Sequence, residues 1–109
     1  MVDLPVISLR ERQIVADVLR PYAPFIETVG IFGSRATGKA RASSDIDMVL
    51  YGSLDDRQIQ RIWTLFDNSP LAVTVDVLAY DAISHAALKR HIDSVMKPLF
   101  AKADLLELA

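Results

Sequence analysis

Cysteine is absent from all 109 residues, which excludes disulfides and thiolate metal sites and makes a reducing cytoplasm the expected setting. Although 51% of the residues are hydrophobic, no apolar run approaches the roughly 20 residues of a membrane-spanning helix. The opening Met1-Val2-Asp3-Leu4-Pro5 lacks the basic segment and apolar stretch of a secretory leader, and none is expected. An excess of one charge is missing too: 12 Lys and Arg stand against 14 Asp and Glu, a net charge of −2. Proteins that grip long nucleic acids usually present a basic surface, so direct nucleic-acid binding is not expected. No repeat, linker or low-complexity segment interrupts the chain, and residues 1–109 read as a single domain long enough to bury a core.

Hydrophobic periodicity and punctuation then order the elements. Ser8-Leu9-Arg10-Glu11 has capping-box spacing, and Ile14, Val15, Val18, Leu19 and Tyr22 form one helical stripe after it, ending near Pro21 and Pro24. A strand is expected over Thr28 to Phe32, leading through Gly33-Ser34 into a short helical turn and a polar loop, Lys39 to Ser44. Ser53-Leu54-Asp55-Asp56 opens a second long helix carrying Ile59, Ile62, Trp63 and Phe66, with Trp63 read as core. Asn68-Ser69-Pro70 ends it, and the stretch Leu71 to Leu78 reads as a largely buried strand. A third helix is expected from about Ile83 to Val95, and Pro98-Leu99-Phe100-Ala101 reads as an edge strand, where proline is tolerated. The apolar tail Leu105-Leu106-Glu107-Leu108-Ala109 packs either on the domain or on a partner. The order helix, strand, strand, helix, strand, helix, strand predicts a mixed α/β domain, a small sheet of about four strands with helices packed on it.

Chemistry concentrates in three places. In Phe32-Gly33-Ser34-Arg35 a hydrophobic segment ends in glycine and a hydroxyl residue, a junction that offers backbone N–H groups to a phosphate. With ten residues between, Ser34 is followed by Asp45-Ile46-Asp47, with strand-like composition from Ser44 to Leu50. Side chains alternate along a strand, so Asp45 and Asp47 share a face with Cα atoms about 6.5 to 7 Å apart. Two such carboxylates can converge on one hard divalent ion or straddle a metal pair spaced roughly 3.5 to 4 Å. Asp76, alone among apolar residues, is the candidate third acid, because burying an unpaired carboxylate is costly and metal coordination offsets the cost. Each feature has an ordinary alternative: Gly-Ser is a common dipeptide, Asp-x-Asp is often a surface pattern, and Asp76 has Arg61 or Arg90 as conceivable partners. Their combination in this order is far more specific. His85 and His91 do not have the i, i+4 spacing of a helical metal pair and read as surface or packing residues.

Gly33-Ser34-Arg35-Ala36-Thr37-Gly38 followed by Ser44-Asp45-Ile46-Asp47 resembles the signature of the nucleotidyltransferase superfamily related to DNA polymerase beta. The resemblance is to its minimal, stand-alone members and covers nearly the whole chain. It implies a polymerase beta-like fold in which Gly33 and Ser34 hold the nucleotide phosphates and Asp45, Asp47 and Asp76 are both catalytic and metal-ligating, with Asp76 helping to activate the attacking hydroxyl. Arg35 corresponds to the family's basic residue after the serine. Thr37 departs from the commoner arginine, for which Lys39 or Arg41 is the nearby substitute, and all three loop cations, Arg35, Lys39 and Arg41, read equally well as solvated charges.

The implied reaction is transfer of AMP from ATP to a hydroxyl with loss of pyrophosphate, supported by Mg²⁺, two ions by preference, or Mn²⁺. After the elements are assigned no segment remains for an acceptor-binding domain, so something else must present the acceptor. Minimal relatives resemble partners of a small helical protein of the HEPN type, an RNase toxin, on which they act as antitoxin by adding AMP to a tyrosine. The expected function is therefore a protein adenylyltransferase antitoxin. Two alternatives stay open: a small-molecule nucleotidyltransferase subunit of the aminoglycoside-modifying kind, and a non-catalytic module that neutralises its partner by contact. Homodimer or hetero-oligomer, and the base specificity, are left open.

Overall fold

The computed structural model of the protein describes residues 4–107. Helix α1 spans Leu9–Leu19, and its start is a true capping box: Ser8 Oγ accepts from the Glu11 N–H while Glu11 Oε1 accepts from the Ser8 N–H. Pro21 and Pro24 do not stop the chain's coiling outright; they fall within a 3₁₀ helix over Arg20–Phe25. Strand β1 (Ile26–Phe32) begins two residues before the expected Thr28. A single helical turn, α2 (Ser34–Thr37), follows Gly33, and Gly38 ends it in the left-handed region that glycine tolerates, with φ of 80°. Strand β2 covers Ile46–Gly52, α3 covers Asp56–Asp67, and β3 covers Val75–Ala79. A 3₁₀ turn at Tyr80–Ala82 leads to α4 (Ala86–Val95), then β4 (Lys97–Ala101) and α5 (Lys102–Glu107).

Two further boundaries move, each for a local reason, and the tail finds its place. The β3 strand starts at Val75 rather than Leu71, because the chain leaving Pro70 must first bend back into register with β2. Helix α4 starts at Ala86 rather than Ile83, since His85 serves as its cap, with Nδ1 accepting from the Leu88 N–H. The tail's Leu105 is fully buried, so this part of it packs on the domain as α5, while Leu106 on the same helix is 55% exposed. Met1 to Asp3 at one end and Leu108 and Ala109 at the other lie outside the described residues.

The four strands lie in the order β3-β2-β1-β4. β1 is antiparallel to both β2 and β4, and β2 is parallel to β3, with α3 as the crossover that a parallel pair requires. β4, with Pro98, is an edge strand as expected. Each outer strand has a carbonyl taken by a side chain: Trp63 Nε1 donates to Val77 O of β3 at 3.0 Å, and Arg12 Nη1 to Leu99 O of β4 at 3.4 Å.

Helices cover both faces of the sheet. On one face Val29, Ile31, Ile46, Met48, Leu50, Val75 and Val77 meet Val15 and Leu19 of α1, Ile62 and Phe66 of α3, and Leu105 of α5. On the other, Phe32, Val49 and Leu78 meet Ile92, Leu88 and Val95 of α4. Period-two alternation thus sends Ile46, Met48 and Leu50 into the larger core and leaves Asp47 and Val49 on the α4 side. Truncating a fully buried leucine removes apolar contact and leaves a cavity. Leu105→Ala is therefore expected to lower the unfolding free energy by about 2 to 5 kcal/mol, and Leu106→Ala by no more than about 0.5 kcal/mol, both read from urea titrations.

Candidate active site

Three of the expected site residues, Gly33, Asp47 and Asp76, meet at one end of the sheet. Asp47 on β2 and Asp76 on β3 are register partners across the parallel pair, so their carboxylates leave the same face of neighbouring strands. Strand spacing sets their Cα atoms about 4.8 Å apart. Phe32, the last residue of β1, pairs with Asp47 from the other side, which brings Gly33 to the same end. Asp45 does not lie on the strand as expected. It precedes β2, which begins at Ile46, and it is exposed where Asp47 and Asp76 are half-buried.

Gly33 is required twice over. Its φ of 69° lies in the left-handed region, and a Cβ there would run into Asp47 Oδ2 and stand 3.0 Å from Asp47 Cγ. The backbone turn therefore lies directly against the Asp47 carboxylate. Gly33 O accepts from the N–H groups of Ala36 and Thr37, whereas Ser34 and Arg35 supply the first N–H groups of α2, which have no acceptor within a helix. Ser34 is half-buried beside this turn, and Lys39 is exposed just beyond Gly38, its N–H donating to Ser34 O at 3.1 Å.

Residues 13–105 match the family described as Polymerase beta, Nucleotidyltransferase. The chain belongs to this family. No curated protein matches the sequence, but solved structures do. A toxin–antitoxin complex with AMP-PNP is 22% identical with a TM-score of 0.68, over 90% of this chain and 80% of that one. The toxin–antitoxin MntA–HepT is 20% identical with a TM-score of 0.60, over 90% and 77%. A complex of tri-AMPylated HEPN toxin with MNT antitoxin from Shewanella oneidensis is 21% identical with a TM-score of 0.59, over 89% and 78%. At such identities the likeness establishes the fold, and the nucleotidyltransferase has the mixed polymerase beta-like architecture that its motifs implied.

One expected phosphate contact fails. Arg35 points away from the Gly33 turn and is only 2% exposed. Its five N–H groups are spent inside the protein: Nε on Ser44 O, Nη1 on Val6 O and Glu11 Oε1, Nη2 on Ala42 O and Ser44 O. A guanidinium so engaged has no donor left for a nucleotide. Nor is it a solvated loop charge. Its ion pair with Glu11, 2.9 Å long, is what sequence reasoning missed; the Ser8-to-Glu11 spacing announces a helix start and carries no sign of a distant partner.

A divalent ion or pair fits the donor set. Asp45, Asp47 and Asp76 offer hard carboxylate oxygens, and the turn at Gly33 leaves the room at Asp47 that a side chain would fill. Among the described residues no group of three acidic or imidazole side chains is placed to hold a metal ion together, so the pair the structure sets side by side is Asp47 and Asp76, and Mg²⁺ held by one or two carboxylates takes its remaining ligands from phosphate oxygens and water. Burial, then the charges of Asp76 and Asp45, push the Asp47 carboxyl above its ordinary value. The folded state therefore holds that proton more tightly than the unfolded chain, and stability falls as pH rises through the raised value. Above it, ionised Asp47 is a net cost to the metal-free fold. Asp47→Asn is accordingly expected to melt about 1 to 4 °C above wild type at neutral pH without metal, the gain being limited by solvent screening and vanishing below about pH 4. Calorimetry across pH measures it.

Proposed function

We propose that the protein transfers AMP from ATP to a hydroxyl on a helical partner protein of the HEPN type, releasing pyrophosphate, and acts as the antitoxin of a toxin–antitoxin pair. The observation that carries this reading is the register pairing of Asp47 with Asp76 against the Gly33 turn. It sets two carboxylates and a glycine turn at one strand end, an arrangement suited to nucleotidyl transfer. Structural neighbours include a toxin–antitoxin complex with an ATP analogue and one with an AMPylated toxin, which supports both the nucleotide and the acceptor class.

In this reading the N–H groups after Gly33, with Ser34 and Lys39, bind the nucleotide's outer phosphates, and Asp45, Asp47 and Asp76 hold Mg²⁺ or Mn²⁺. The bound metal supplies charge neutralisation at the phosphates and a lowered pKa at the acceptor. The acceptor oxygen attacks the α-phosphorus in line, the bond to the bridging oxygen breaks, and pyrophosphate leaves with that electron pair. Asp76, on the strand next to Asp47, takes the hydroxyl proton. The helices and strands of the described residues form one sheet and its covering helices, and in this reading the acceptor is presented by the partner. Among these residues no helix is long and apolar enough to cross a membrane.

The test is intact-mass spectrometry of the co-purified partner before and after incubation with ATP and Mg²⁺. The partner is expected to gain one or more AMP units with wild type and none with Asp76→Asn. Transfer by Asp76→Asn at the wild-type rate would remove Asp76 from the reaction. A partner that stays unmodified yet bound and inhibited would replace transfer with neutralisation by contact.

A further inference from the structure

The segment that leads from α2 to Asp45 has little structure of its own. Between Gly38 and Asp45 the chain forms no helix or strand, and most of its residues are exposed. Inside it, the Ser44 N–H donates to Arg41 O and the Arg41 N–H to Ser44 Oγ, which shapes a turn but anchors it to nothing else. The ties from Ala42 and Ser44 to the body of the protein come from Arg35: 3.3 Å to Ala42 O, and 2.8 and 3.1 Å to Ser44 O. Ser44 is the residue before Asp45.

Arg35 is held in turn from the other side. Its Nη1 spans Val6 O and Glu11 Oε1, and its own carbonyl accepts from the Val6 N–H at 2.8 Å. One residue thus joins the N-terminal segment, α1, the loop and the Gly33 turn. A planar fork with five donors can satisfy three carbonyls and a carboxylate at once, whereas an ammonium offers three donors from one atom.

We propose that Arg35 is a positioning residue for nucleotidyl transfer, setting where Asp45 stands relative to Asp47 and the Gly33 turn, with Glu11 of α1 as its counter-ion. The inference rests on the transfer reaction proposed above. It makes α1, which contributes no group to the reaction, a support of the acidic loop. Misplacing a reacting group by about 1 Å costs up to about a hundredfold in rate while leaving much of the binding intact. A displaced loop should therefore show in turnover rather than in nucleotide affinity.

Arg35→Lys is the discriminating variant, because it keeps the charge for Glu11 and gives up the fork to the loop. Its kcat for AMP transfer to the co-purified partner is expected to fall about tenfold or more, with KM for ATP changed by less than about threefold. Amide hydrogen exchange over residues 39–45 should quicken about tenfold while β1 and β2 keep their protection. A raised KM with kcat preserved would make Arg35 a nucleotide ligand and overturn the proposal. So would unchanged kcat beside a lowered urea midpoint, which marks a purely structural ion pair. If wild type transfers nothing to the partner, the transfer reading falls by itself, and exchange still judges the clamp: unaltered exchange in Arg35→Lys refutes it, and faster exchange confined to 39–45 upholds it. Should Arg35→Lys not fold, Glu11→Gln decides, since glutamine also serves at that capping position. It is expected to quicken exchange in the same loop and lower kcat by about threefold or more, and no change in either overturns the proposal.

Discussion

Two carboxylates of like charge, Asp47 and Asp76, are set side by side by the parallel pairing of β2 and β3, and much of the structure serves to keep them there. A flexible loop would let them drift apart. Backbone pairing does not: moving either acid to the other face would require a one-residue slip that also turned Ile46, Met48 and Leu50 out of the core. The burial of those apolar side chains against α1, α3 and α5 is thus what holds the repulsion in place. Function and stability oppose each other at this point, as they commonly do where charges converge to receive a ligand.

The same logic runs through Arg35, where the cost of a buried cation is met by one carboxylate and three backbone carbonyls. Removing any single partner would leave a donor of the buried Arg35 guanidinium without its acceptor. The cluster therefore behaves as a unit, and it draws together segments that are far apart along the chain, Val6 to Glu11 and Ala42 to Ser44. The covering helices do more than seal the sheet.

How much of this could be read from the residues follows from the range of the signal. Capping at Ser8, the helix start within Ser53-Leu54-Asp55-Asp56, the alternation at Ile46 to Leu50, the Pro98 edge and the Gly33-Ser34 turn are local features, and they were legible. The pairing of Asp47 with Asp76 at one strand end came from the register of β2 and β3, while Asp45, read as a strand residue, precedes the strand. The direction of Arg35 was not legible, because whether a cation beside a phosphate turn faces ligand or interior depends on carbonyls supplied by other segments. The onsets of β2 and β3 were displaced for a related reason: composition marks a strand's centre, while pairing partners decide its ends. Whether Leu105 packs on the domain or on a partner was left open and it proved to be core, since a single amphipathic turn has too little periodicity to choose between them.

The lone tryptophan has a use unrelated to its role in packing. The Trp63 indole donates to the carbonyl of Val77, the residue directly after Asp76, so its surroundings register any shift of β3. With no second indole to dilute the signal, the intrinsic emission of the unlabelled protein becomes an optical gauge of what arrives at the acidic end of the sheet, legible in a stopped-flow trace before any chemistry takes place.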